Sequence, residues 1–444
     1  MQVTQTSSEG LKQAYKIVVE SKDIDAKVSE KLADLSQTAR LPGFRPGKVP
    51  TRVLKQRFGK SVLGEVLQQA IDDSVRKTIE DKALKPALQP KIEVTKFDEG
   101  SDLEYTLEVE VLPEITPGDF SGISLERLKV DVSDAEVEES LQKLADQQTA
   151  YDAAEADTAA AKGDAAVIDF LGKLDGTPFE GGAGTDYQLV LGSGQFIPGF
   201  EDQLVGVKAG DKKDVSLTFP AEYPAEKLAG KAVVFEVTVK EVRKPNVPAI
   251  NDDMAVRLGL ENLAQLREKV KEQIAGEFSS IGRARIKRAL LDRLDEMHRF
   301  DVPPGLVDAE FSAIKQQLDA DRAQAGPTAP EPKPDDELSA EYRPIAERRV
   351  RLGLLLSRVG ELNNIKVGRD ELSRAIAQQA QRFPGQEQQV FKYFQDNPQA
   401  AVQLQAPIFE EKVVDFILEL AKVTDKTVSK DELLKDPDED KEAA

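Results

Sequence analysis

The chain of 444 residues contains no cysteine and a single histidine, His298. Without a thiol there is no disulfide framework, no thiolate nucleophile and no thiolate metal site. One histidine excludes a multi-histidine metal centre and argues against a histidine-based triad. His298 itself is expected at the surface or a helix end rather than in chemistry. The opening MQVTQTSSEG has no charged stretch followed by an apolar core, so it does not read as a secretory signal. No run approaches the ~20 apolar residues that span a bilayer. These absences point to a soluble, cytoplasmic protein with no membrane partner. Phosphate-cradling loops are missing as well. Gly43 to Lys48 has one residue too few between its glycines for a P-loop, and Val49 stands where Ser or Thr is required. Gly59-Lys60-Ser61 has the right ending, but Leu54 occupies the place of the first glycine. No ATPase site, cofactor or metal is expected.

What the chain does have is an uneven charge. Its formal net charge is −20, yet residues 35–64 hold seven Lys or Arg and no Asp or Glu. An acidic protein repels polyanions everywhere except where it concentrates positive charge. At the centre of this stretch lies Gly43-Phe44-Arg45-Pro46-Gly47-Lys48-Val49-Pro50. Its two prolines and two glycines make it a loop, because Pro offers no N–H and Gly tolerates unusual backbone angles. Arg52, Lys55, Arg57 and Lys60 extend the charge along an expected helix. A basic tip with one aromatic residue reads as a docking element for an anionic, RNA-containing surface. The overall acidity argues against a general DNA- or RNA-binding protein.

The octapeptide resembles the G-F-R-x-G-K-x-P signature of the bacterial trigger factor family, the ribosome-associated folding chaperones. Gly43, Phe44, Arg45, Gly47, Lys48 and Pro50 fill its fixed positions. Pro46 fills the variable one, where some members carry Lys, so one charge is lost. The resemblance implies that Gly43, Phe44, Arg45, Pro46, Gly47 and Lys48 bind the ribosome beside the exit tunnel, through a ribosomal protein and adjacent rRNA. It also implies nascent and unfolded polypeptides as partners, no DNA, and a homodimer as an option when the protein is free.

At this length about three domains are expected, at roughly 100–200 residues each. Residues 1–112 read as α+β: a strand at Ala14 to Val19, a helix capped by Asp23, a helix with Val62, Val66, Ala70 and Ile71 at helical spacing, and two strands near Ile92 to Phe97 and Leu103 to Leu112. Residues 113–160 read as a connector, with a capping box at Ser133 to Glu136 opening a helix; the resemblance implies that it packs with the C-terminal body. Residues 161–246 turn glycine- and aromatic-rich, with strands at Val167 to Leu171, Asp186 to Leu191, Asp214 to Phe219 and Val233 to Val242. Residues 247–444 read as helical. Val307, Phe311, Ile314 and Leu318 form an apolar stripe there, and Val390, Phe391, Tyr393 and Phe394 form an aromatic cluster. A flexible loop is expected at 325–336, rich in Pro and acid, and a disordered acidic tail at 430–444.

Leu191-Gly192-Ser193-Gly194-Gln195-Phe196-Ile197-Pro198-Gly199-Phe200-Glu201 resembles the L-G-x-G-x-x-I-x-G-[FW]-E stretch of FKBP-type peptidyl-prolyl isomerases. The fold class that follows is multidomain α+β: an N-terminal ribosome-binding domain, an FKBP-like antiparallel sheet around one helix, and an all-α C-terminal chaperone region with arms. The resemblance implies a site formed by Phe170, Phe179, Glu180, Tyr187, Phe196, Ile197, Phe200, Tyr223 and Phe235. In it Phe200 is the pocket floor, the Ile197 N–H holds the substrate carbonyl, and Tyr223 donates a hydroxyl at the rim. Glu180 replaces an acid that is usually Asp. Such a site suits a chain without cysteine, because amide rotation requires no nucleophile, metal or cofactor.

Overall fold

The computed structural model describes residues 1–38, 44, 49–98, 100–155, 157–220, 223, 228–326 and 333–435. By their internal contacts these residues form two compact units. One comprises Met1–Leu125, Lys287–Asp321 and residues 333–423; the other comprises Glu126–Ile286 with residues 322–326 and 424–435.

The first unit begins with a polar strand, β1 (Gln2–Glu9), that turns through Gly10 at φ +57° into β2 (Lys12–Val19). Two helices follow, α1 (Ser21–Thr38) and α2 (Thr51–Asp81), then β3 (Lys91–Lys96) and β4 (Leu103–Glu110). The sheet is antiparallel throughout, in the order β1-β2-β4-β3. Alternation along β4 sends Leu103, Tyr105, Leu107 and Val109 to one face, where they join a core with Ile24 and Leu32 of α1 and Leu54, Val62 and Val66 of α2. The Tyr105 hydroxyl is satisfied there by Ser74 Oγ at 2.7 Å. Helix α1 starts two residues before the expected Asp23 cap, because Asp102 Oδ1 accepts the Ser21 N–H at 2.8 Å.

The chain continues through β5 (Ser124–Lys129) into α3 (Asp134–Gln147). The capping box is formed: Ser133 Oγ accepts the Glu136 N–H, and the Glu136 carboxylate accepts the Ser133 N–H at 2.9 Å. Strands β6 (Ala150–Ala153), β7 (Ala165–Leu174) and β8 (Thr177–Val190), helix α4 (Phe200–Leu204), and strands β9 (Lys212–Thr218) and β10 (Ala232–Asn246) then build a five-stranded antiparallel sheet. Its order is β6-β10-β7-β8, and β9 pairs with the first half of the long β10 while β6 pairs with its last residues. Gly199, at φ +87°, turns the chain into α4. Ile168, Leu189, Phe200, Leu204, Val215, Val237 and Val239 form the core between sheet and helix.

Helices α5 (Asp252–Arg257), α6 (Leu263–Met297), α7 (Pro304–Ala325), α8 (Asp335–Leu362), α9 (Arg369–Ala380), α10 (Glu387–Asp396) and α11 (Pro398–Leu420) follow, then β11 (Lys422–Thr427) and α12 (Lys430–Leu434). Val137, Leu141 and Ala145 of α3 pack with Met254 of α5 and with Leu266 and Val270 of α6. The stripe Val307, Phe311, Ile314 and Leu318 packs on Tyr342, Ala346 and Val350 of α8. In contrast, α10 buries none of its residues.

Four expectations change. The C-terminal region is not purely helical, since β11 pairs with β5, where Asp425 binds Arg127 and Lys129. The expected loop 325–336 is helical at both ends. Ala325 closes α7, and Asp335 and Asp336 open α8, where carboxylates complement the helix dipole; residues 327–332 lie outside the described residues. The expected tail starts as helix α12, capped by Ser429 and anchored by the buried Leu433, and residues 436–444 lie outside the described residues. His298 directly follows the last residue of α6, at the expected helix end, but it is buried. Its Nε2 accepts the Gly118 N–H at 2.8 Å, which leaves Nδ1 to donate to the Leu294 carbonyl at 2.9 Å. Among the described residues no helix is long and apolar enough to cross a membrane.

Candidate functional site

Strands β7, β8 and β10, helix α4 and the loop before it bring the predicted aromatic residues together. A cavity of about 390 Å³ is lined by Phe170, Phe179, Phe196, Ile197, Tyr223 and Phe235, together with Phe219, Gly181, Gly182, Gln195, Pro198 and Pro220. The rings hold one another mostly edge to face, the arrangement their quadrupoles favour. Phe170 meets Phe196 at 5.4 Å, Tyr187 at 6.1 Å and Phe235 at 6.2 Å between centroids. Phe200 lies fully buried behind the lining, 4.8 Å from Phe196 and 5.3 Å from Phe235. Tyr187 stands at the exposed edge, 5.3 Å from Phe196. Glu180 is exposed and does not line the cavity.

The cavity's donors are few. Among the described residues the Ile197 N–H, the Gln195 side-chain amide and the Tyr223 hydroxyl of the lining, and the Tyr187 hydroxyl at its edge, have no hydrogen-bond partner. The site therefore combines apolar walls with an uncommitted backbone donor and a phenol, which can desolvate an amide and grip an apolar ring.

Several contributors were not foreseen. Phe219, directly after β9, packs on Phe179 at 6.1 Å and on Tyr223 at 4.5 Å; the alternation Val215, Leu217, Phe219 was the available signal. Gly172 and Gly182 flank the Phe179 ring so closely that an added Cβ would lie 2.6 to 2.7 Å from it, and Gly184 does the same for Phe170 at 2.6 Å. Their cue was glycine density beside aromatics in strands. Glu201, directly after Phe200, accepts the N–H groups of Gly192, Gly194 and Phe196.

The second candidate lies in the N-terminal sheet-and-helix region. Phe44 of the basic loop is 40% exposed. Gly43, Arg45, Pro46, Gly47 and Lys48 lie outside the described residues. Helices α1 and α2 and the β3–β4 turn enclose a groove of about 580 Å³. Ile24, Val28, Leu63 and Phe97 supply its apolar part; Arg52, Lys55, Arg57 and Lys60 supply four positive charges against one acid, Asp25. All four cations are exposed and form no ion pair among the described residues. Elsewhere on the same helices Lys27 binds Asp73 at 2.8 Å and Lys31 binds Glu65 at 3.2 Å. Positive charge thus predominates along the start of α2 among the described residues.

Residues 1–144 match the family described as bacterial trigger factor protein, and residues 262–419 match the trigger factor C-terminus. A trigger factor of Azospirillum brasilense is 52% identical over 445 residues and covers 100% of both chains. The chain belongs to the trigger factor family. A second member, from Rhodospirillum centenum, is 50% identical over 442 residues, 99% of this chain and 98% of that one. Residues 156–240 match FKBP-type peptidyl-prolyl cis-trans isomerase. Trigger factors are chaperones that carry such an isomerase domain, and the aromatic cavity falls within it. A solved trigger factor chain, studied for promiscuous substrate recognition in folding and assembly, superposes with a TM-score of 0.54 at 20% identity, covering 94% of this chain and 99% of that one. That likeness is one of fold.

Proposed function

We propose that the aromatic cavity isomerises Xaa-Pro bonds in polypeptides that the same chain holds unfolded beside the ribosome. The observation that carries this reading is the interlocked set of rings around a cavity that holds an uncommitted backbone donor among the described residues, the Ile197 N–H. Amide resonance sets a barrier of about 18–20 kcal/mol, and for Xaa-Pro the two isomers lie close in energy. A pocket that strips water from the amide and fits the twisted geometry best lowers that barrier without covalent chemistry. In this scheme Phe179, Phe196 and Phe235 enclose the proline ring. The Ile197 N–H holds the carbonyl before the proline, and the Tyr223 hydroxyl binds at the rim. Glu180 has no step.

The loop 43–48 docks on the large ribosomal subunit near the exit tunnel, with Phe44 meeting protein and the cations meeting rRNA phosphates. Arg52, Lys55, Arg57 and Lys60 continue that contact. The exposed Phe391 and Tyr393 of α10 offer an apolar surface suited to weak, promiscuous capture of nascent chains. Residence is cytoplasmic, and free copies pair as homodimers. The segments 1–112, 113–160, 161–246 and 247–444 serve as ribosome-binding domain, connector, isomerase and chaperone region.

Two assays on one preparation test this. The wild type should speed isomerisation of an Xaa-Pro tetrapeptide and also suppress aggregation of a proline-poor unfolded protein. Phe196→Ala should lose most of the first activity and keep the second. A wild type active only on the peptide is a stand-alone isomerase, and the chaperone reading then fails.

A further inference from the structure

We propose that Glu201 is a positioning residue for isomerisation, acting as an anionic tether that shapes the loop carrying Phe196 and Ile197; the proposal rests on the isomerase reading above. Glu201 follows Phe200 in α4 and is only 6% exposed. Its Oε2 accepts the Gly192 N–H at 2.7 Å and the Gly194 N–H at 3.0 Å. Its Oε1 accepts the Phe196 N–H and the Ser193 hydroxyl, each at 3.2 Å. Both oxygens are thus used twice, and all four donors come from one five-residue stretch.

The pattern of donors gives the tether its meaning. Gly192 and Gly194 take φ of +92° and +72°, which bends the loop around the carboxylate. The Gln195 N–H is spent on Ser193 Oγ at 3.4 Å. The next N–H, that of Ile197, is the first in the loop left without a partner among the described residues, and Ile197 lines the cavity. Glu201 therefore consumes the loop's donors up to the one the substrate carbonyl needs. It also fixes the backbone of Phe196, whose ring packs 4.8 Å from Phe200.

A neutral amide cannot replace this carboxylate. Gln offers one acceptor oxygen and an NH₂ group, so at least one backbone N–H would face another donor. Burial pushes the Glu201 carboxyl up, but the N–H groups of Gly194, Phe196 and Gly192 and the Ser193 hydroxyl outweigh it and hold the group below its ordinary range. The tether thus stays charged through neutral and mildly acidic conditions.

The test uses the full chain as wild type, Glu201→Gln and Ser193→Ala. It reads kcat/KM on an Xaa-Pro tetrapeptide from neutral pH to pH about 4, with hydrogen exchange of residues 192–197 against β7 and β10. Glu201→Gln should lose about 10- to 100-fold in kcat/KM, as expected for a misplaced binding group. Its activity should not vary with pH, and its exchange should rise in 192–197 while β7 and β10 stay protected. Ser193→Ala, which removes one of four donors, should lose about two- to threefold on the same grounds. Wild-type kcat/KM in Glu201→Gln overturns the proposal. So does an activity loss matched by faster exchange throughout β7 and β10, which marks a purely structural residue. A wild type inactive on the peptide removes the isomerase reading, and the proposal falls with it.

Discussion

The aromatic cavity and the basic groove solve the problem of binding a variable partner in opposite ways. In the cavity nearly every group is spent: rings pack on rings, glycines make room for them, and Glu201 absorbs the loop's donors. The free functions left over are few and fixed, as a reaction that depends on shape and desolvation requires. In the groove the reverse holds. Lys27 and Lys31, elsewhere on the same helices, are paired with acids, but Arg52, Lys55, Arg57 and Lys60 form no ion pair among the described residues. A site built this way gains affinity from charge and loses it to salt. One region is tuned by geometry, the other by electrostatics, and substitutions should separate them.

The largest effect is expected from Phe200→Ala. Emptying a fully buried ring position should cost about 3–5 kcal/mol of isomerase-domain stability and abolish peptide turnover. Ribosome co-sedimentation should persist in the same variant. If it is lost too, the two regions are not independent. Next is Gly182→Ala. A Cβ at 2.7 Å from the Phe179 ring must displace it, so kcat/KM on an Xaa-Pro peptide should fall about tenfold with little change in melting temperature. Unchanged turnover would show that the Phe179 position is not critical.

Lys55→Ala and Lys60→Ala sharpen the other side. Each should weaken ribosome binding and lower the slope of log affinity against log salt by about one, while isomerase activity is unaffected. A slope that does not move would place those cations outside the contact.

The smallest effect concerns acid stability. The folded Glu201 carboxyl titrates below its unfolded value, so its stabilisation is fully present above about 4.3, the ordinary Glu value. It is lost as pH falls through the lower folded value. Acid unfolding of the isomerase domain, followed by circular dichroism, should therefore be steeper in the wild type below that range than in Glu201→Gln.

Much of this was legible in the residues themselves. Alternation at Tyr105, Leu107 and Val109 announced β4, and Ser133 with Glu136 announced the start of α3, because each signal is local. The aromatic site was legible through a motif that keeps Phe196, Ile197 and Phe200 within five residues, across one loop and the start of α4. What escaped was set by partners outside each segment. Strand β1 is polar and exists because β2 pairs with it; β11 exists because β5 does. Leu433 looked like part of an acidic tail, yet it is buried. Glu201 entered only as the last residue of that motif, since nothing in the order Gly-Phe-Glu reveals that its carboxylate turns back on three N–H groups. Glu180, assigned by analogy, sits exposed beside a site it does not line.

The most direct test of the division of labour is ribosome co-sedimentation at low and high salt, comparing the wild type with a Phe44→Ala, Arg45→Ala, Lys48→Ala triple variant. The wild type should pellet with ribosomes at low salt and less at high salt, and the triple variant should stay in the supernatant at both. Equal pelleting of the two proteins would contradict the assignment of docking to the basic loop and its groove.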